Sequence, residues 1–215
     1  MSRRKLLASL ILNGANFFAV TAWIIYLIID DPSSFKMFTI QSNLLAGIAA
    51  GVLVVYEILI LCGKKEKLPL WSRIVKMVTT IGVSITCLVV VFYLSFVAVS
   101  MGYSYFVMFE TYNLFFHLLT PIMAALSFVF FERGKDINFK YTFLNIIHLL
   151  VYMIAYAINV FTHLDKNGMA TRKYDWYYFL TGDLWLIIPE GIGLLILGYG
   201  VGWLIWYFNR RYAEV

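Results

Sequence analysis

A hydroxyl becomes a nucleophile at neutral pH when a base removes its proton, and a neutral histidine suits that task. Two segments supply such a pair: FTIQSNLLAG carries Thr39 and NLFFHLLTP carries His117. Each opens a long apolar run. Helical spacing sets Thr39, Ser42, Asn43, Ala46 and Ala50 on one narrow face of small and polar residues. The same spacing groups Asn113 and His117 with Thr120 or Pro121. Side chains of Gln41, Ser42, Asn43 or Asn113 can support a developing oxyanion, and Glu190 or Asp183 can orient the imidazole as a third member. The competing reading is structural: Thr39 and its neighbours cap a helix start and allow close packing, and His117 bonds to a neighbouring helix.

Other residues invite other chemistry. Asn145, His148, Tyr152, Tyr156, Asn159 and His163 form a stripe on one run, which reads as a proton or solute path or as a hydrogen-bonded seam between helices. His117, His163, Asp183 and Glu190 are zinc-type ligands, but no histidine pair at ligand spacing lies on one helix, so neither a metal nor a cofactor is expected. Gly198, Gly200 and Gly202 in GYGVG lie inside an apolar run with no strand before them, which favours helix packing over a nucleotide loop. Glu57 and Glu132 lie at the ends of apolar runs beside basic clusters, where pairing or snorkelling accounts for them without a function.

The elements that must carry these residues follow from composition. Of 215 residues, 62% are hydrophobic and 13% charged, a balance that a water-exposed surface of this size does not tolerate. Crossing about 30 Å of hydrocarbon takes roughly 20 helical residues. Six stretches qualify: 6–29, 38–61, 74–98, 113–131, 141–162 and 184–208. The first resembles a signal peptide, but its length and the lack of a cleavage site make it a retained helix. Connectors are short, so neighbouring helices run antiparallel.

Basic residues orient the bundle. Arg3, Arg4, Lys5, Lys64, Lys65, Lys67, Arg73, Lys76, Arg133, Lys135, Lys140, Arg210 and Arg211 occupy one alternate set of flanks, against Lys36, Lys166, Arg172 and Lys173 on the other. The expected fold is therefore an all-α integral membrane protein of one six-helix domain, with both termini cytoplasmic (N-in/C-in) and Thr39 and His117 near the outer surface. A bacterial cytoplasmic membrane fits best. The net charge of +5 lies in short clusters rather than a stripe, so no nucleic acid partner is expected. Cys62 and Cys87 sit at different depths and read as free thiols. Aromatic residues in the connector 164–183 either cover a site or rest on lipid headgroups.

KMFTIQSNLL and FFHLLTPIMAAL together resemble paired signatures of the androgen-induced membrane protein family, which includes the ADTRP-like proteins, and of its bacterial relatives, the Pr6Pr membrane proteins. The likeness extends loosely over most of the chain, including YDWYYF before the last run. It implies a small multi-helix membrane fold and hydrolysis of fatty acid esters of hydroxy fatty acids. It further implies that Thr39 is the nucleophile and His117 its base, with a membrane lipid or fatty acid ester as substrate. Weighed against this are an acyltransferase, a small-solute or proton transporter, and a non-catalytic membrane scaffold.

Overall fold

The computed structural model describes residues 2–132, 134–171, 173–177, 185 and 187–212. Among them are six helices long and apolar enough to cross a membrane: α1 Arg3–Asp30, α2 Phe38–Leu61, α3 Leu70–Ser100, α4 Tyr112–Phe131, α5 Phe139–Phe161 and α6 Ile187–Arg211. No strand occurs among the described residues. The chain is an all-α multi-pass membrane protein. Residues such as Ile11, Phe18, Phe92 and Ile196 project from the bundle, giving the apolar exterior that lipid requires.

Helix α3 is the hub. It packs against α2, α4, α5 and α6, and its Met77, Ile81 and Ile85 meet Phe38, Phe128, Leu149, Val201 and Ile205 in the main core. It begins at Leu70, earlier than the expected 74, because Pro69 is extended (φ −62°, ψ 143°) and the chain turns helical directly after it. Arg73 and Lys76 thereby belong to the helix rather than to a connector. For the sixth span, 184 and 186 lie outside the described residues, and α6 runs on to Arg211.

Glycines bring the remaining helices close. A Cβ on Gly47 would lie 2.6 Å from Cγ1 of Val20, and one on Gly51 would lie 2.8 Å from the Phe17 ring. One small residue per turn thus lets α1 lie against α2. In α6, Gly198 faces Ile85 and Leu149, and Gly202 faces Thr142, whereas a Cβ on Gly200 would meet nothing. Close packing therefore holds for two glycines of GYGVG and not for the third.

The expectation for the two glutamates is corrected. Glu57 is 0% exposed and Glu132 1% exposed, and Lys76 beside them is 1% exposed; none of these side chains snorkels. The α4 C-terminus next to them is capped from outside. Asn209 Nδ2 donates to the carbonyls of Phe128 (2.6 Å) and Glu132 (3.3 Å), and Arg73 Nε donates to the latter at 3.2 Å. These bonds occupy acceptors that every helix end leaves open. Arg73 Nη1 also meets both Asp136 oxygens, at 2.7 and 3.0 Å. Cys62 and Cys87 are free.

Replacing Gly47 by alanine forces a methyl group onto Val20. The variant should lose about 1–3 kcal/mol, read as a lower midpoint of thermal unfolding in detergent, while Gly200→Ala should not fall.

Candidate functional site

Thr39 stands in the first turn of α2, where Met37 is extended and the helix begins. Its side chain lines an apolar cleft at the end of the bundle opposite Lys76. The α2 wall is Phe38 and Thr39, the α3 wall runs from Ile85 to Leu94, and α5 adds Leu149, Tyr152, Met153 and Tyr156. Glu190, Gly191 and Leu194 of α6 complete it, with about 680 Å³ of empty space, part of it open. A shallower groove between α3 and α6 shares Val89, Glu190 and Leu194 with it. Its other wall, Phe92, is 71% exposed on the apolar exterior. The cleft thus reaches the lipid-facing surface sideways.

His117 lies in a π-helical turn, Phe115–Leu119. Pro121, four residues on, has no N–H to offer the His117 carbonyl, so the ordinary ladder cannot continue there and the turn widens. The imidazole is 7% exposed. Its Nδ1 lies 2.6 Å from the carbonyl oxygen of Met108, in the short helical turn Tyr105–Phe109 that precedes α4. A carbonyl only accepts, so Nδ1 carries the proton, and in the neutral ring Nε2 keeps the lone pair. Phe109 meets the ring edge-on at 6.5 Å. Thr111, which joins that turn to α4, has a φ of 52°, a costly conformation for a β-branched residue.

Asn43 ties the two turns together. Its Nδ2 donates to the Thr39 carbonyl at 2.8 Å and to the Phe116 carbonyl at 3.1 Å. The backbone beside His117 is thereby clamped at the depth of Thr39. The two side chains make no hydrogen bond to each other. Tyr177 and Tyr152 line the cleft alongside Thr39. Burial raises the Tyr177 pKa, so the phenol stays neutral.

The supporting roles change. Both Asn43 amide hydrogens go to carbonyls, and the Ser42 hydroxyl donates to the Thr39 carbonyl at 3.1 Å, so neither is free to steady an oxyanion. Gln41 donates to the Phe35 carbonyl at 3.0 Å, away from the cleft. Asn113 is not a cleft residue and makes no side-chain hydrogen bond among the described residues. Glu190 does line the cleft, where it accepts from Tyr93 at 3.3 Å while its Oε2 has no partner. It does not orient the imidazole, because the Met108 carbonyl already holds Nδ1. Asp183 lies outside the described residues. No group of three potential metal ligands comes together among the described residues.

The α5 stripe turns out to bind the following connector along its C-terminal half. Tyr152 donates to the Lys36 carbonyl at 3.0 Å and accepts from Trp176 at 3.2 Å. Tyr156 donates to Asp175, Asn159 donates to the Tyr174 carbonyl at 3.2 Å, and His163 stacks on Tyr174. His148 lies against Phe38. Tyr177 comes from this connector to close the cleft. Tyr177 fits the reading that connector aromatics cover a site, whereas the places of Tyr152 and Tyr156 in the cleft wall were not anticipated, although the stripe held the signal. The Met108 carbonyl had none, since any backbone carbonyl could have met the ring.

Asn43→Ala removes two bonds to buried carbonyls and should cost about 1–3 kcal/mol, measurable as a lower unfolding midpoint. No family model matches the chain, and no curated protein or solved structure matches it.

Proposed function

We propose that the protein is an intramembrane hydrolase of lipid esters, such as fatty acid esters of hydroxy fatty acids, with Thr39 as nucleophile and His117 as base. The observation that carries this reading is the Thr39 hydroxyl set in the wall of an apolar cleft that runs out to the lipid-facing surface. An ester entering between α3 and α6 keeps its acyl chain among Leu149, Met153 and Leu194 while its carbonyl approaches Thr39. With the basic flanks on the cytoplasmic side, the cleft lies in the outer half of the bilayer and water enters from outside.

The protonation of His117 suits the role. Nδ1 is held by Met108, so Nε2 is the atom that can take a proton. In the resting arrangement Tyr177 lines the cleft beside Thr39, and His117 is not among the lining residues. Catalysis requires substrate entry to bring Thr39 Oγ1 and Nε2 together, in keeping with catalytic hydrogen bonds that tighten only in the complex. Thr39 Oγ1 then attacks the ester carbonyl carbon as its proton passes to Nε2. The imidazolium returns the proton to the departing alkoxide, leaving an acyl ester on Thr39. Water, deprotonated by Nε2, attacks this ester and releases the fatty acid and free Thr39. If another alcohol replaces water in the second half, the same residues perform acyl transfer.

Labelling of the solubilised protein with a fluorophosphonate probe tests the pair, alongside turnover of lipid esters. Thr39→Ala and His117→Ala, at matched thermal stability, should each lose labelling and at least about 10²-fold in turnover, with Thr39→Ser retaining part of both. A folded wild-type protein that neither labels nor turns over esters overturns the reading. Met153→Trp fills the cleft and should slow long-chain esters far more than short-chain ones.

A further inference from the structure

The opposite end of the bundle holds a second polar centre that the proposed chemistry does not use. Its carboxylates share their donors. Ser9 Oγ lies 2.5 Å from Glu57 Oε1 and 3.4 Å from Glu132 Oε1, and Asn13 Nδ2 lies 3.1 and 2.8 Å from the same two oxygens. Both oxygens therefore crowd one hydroxyl and one amide. Ser9 has a single hydrogen, so it serves one carboxylate at a time. The Ser127 hydroxyl meets Glu132 Oε1 and also lies 3.1 Å from Asn13 Oδ1. Lys76 Nζ donates to that same Oδ1 at 2.7 Å and forms no direct ion pair with either carboxylate among the described residues. The second oxygens, Oε2 of Glu57 and Oε2 of Glu132, are buried with no partner among the described residues.

Charge cannot balance here as ordinarily ionised. Two carboxylates and one ammonium carry a net charge of −1 where hydrocarbon and protein surround them. Among the described residues the neighbouring helices supply no further cation to the centre. From α1 come Ser9 and Asn13, and from α6 Asn209, all neutral. Arg73 is ion-paired with Asp136 and donates to the Glu132 carbonyl, while Arg210 and Arg211 lie over the rings of Trp206 and Tyr207. Like charges crowded in a low-dielectric site do not both persist. One proton neutralises the centre and also supplies a donor, where two oxygens otherwise have none.

We infer that Glu57 and Glu132 form a proton-binding pair that holds one exchangeable proton beside the buried ammonium of Lys76. The proton comes from bulk water at the basic end and converts one carboxylate to a carboxylic acid, leaving the other to balance Lys76. The site is independent of the hydrolase reading and can operate whether or not Thr39 is a nucleophile.

Infrared spectroscopy of the purified protein at neutral pH reads the proton directly, through the C=O stretch of a protonated carboxyl and its shift in D₂O. The wild type should show this band. Glu57→Gln and Glu132→Gln should each fold, melt near the wild type and lose the band, because a single carboxylate against Lys76 stays ionised. The double variant strands the ammonium and should melt about 5–10 °C lower, and adding Lys76→Met should restore it. A wild type without the band overturns the inference. So does a band surviving in both single variants, which belongs to another carboxyl such as Glu190, or a single variant that does not fold.

Discussion

The ammonium of Lys76 lies inside a bundle surrounded by hydrocarbon, where a lone charge is expensive and water cannot help. Much of the architecture answers that one demand. Asn13 on α1 accepts from the ammonium, and Glu57 on α2 and Glu132 on α4 provide opposite charge through Asn13. Their grouping requires α1, α2 and α4 to meet α3 at one depth. Gly47 and Gly51 allow it by letting α1 lie close on α2. Asn209 on α6 secures the end of α4 that presents Glu132.

With that end fixed, the other can be more open. There α2, α3, α5 and α6 diverge around a cleft whose walls are apolar apart from Thr39, Thr86, Glu190 and tyrosine hydroxyls. The cleft is closed from outside by Tyr177, held in turn by a connector fastened along α5. Beyond the residues that line the cleft, the π turn and the Met108 carbonyl fix the imidazole in one protonation pattern. Rigidity at the charged end and openness at the cleft end are divided between the two halves of the same helices.

The six spans and their polar faces were legible because hydropathy and the 3.6-residue period are local signals. Helix α2 runs over Phe38–Leu61 as its apolar run does, and Thr39 and Asn43 share a face in both. What escaped was long-range pairing. A glutamate beside a basic cluster reads the same whether it snorkels or is buried, and Glu57 was resolved only by α1 residues far away in sequence. Ser9, Asn13 and Asn16, spaced three and four apart in an apolar helix, were the clue that a polar partner existed. That His117 would find Met108 rather than Glu190 had no counterpart in any local pattern, because it depends on how the chain turns between α3 and α4.

The charged centre also bears on how the chain is made. Helices enter the bilayer in order as synthesis proceeds, so α1 and α2 are present before Lys76 has left the ribosome. Glu57 then has only Ser9 and Asn13 for company. Arrival of α3 brings the counter-charge, and arrival of α4 brings the competing carboxylate. The contacts of the centre thus accrue in chain order, with α1 and α2 supplying the first carboxyl and its donors, α3 the ammonium and α4 the second carboxyl.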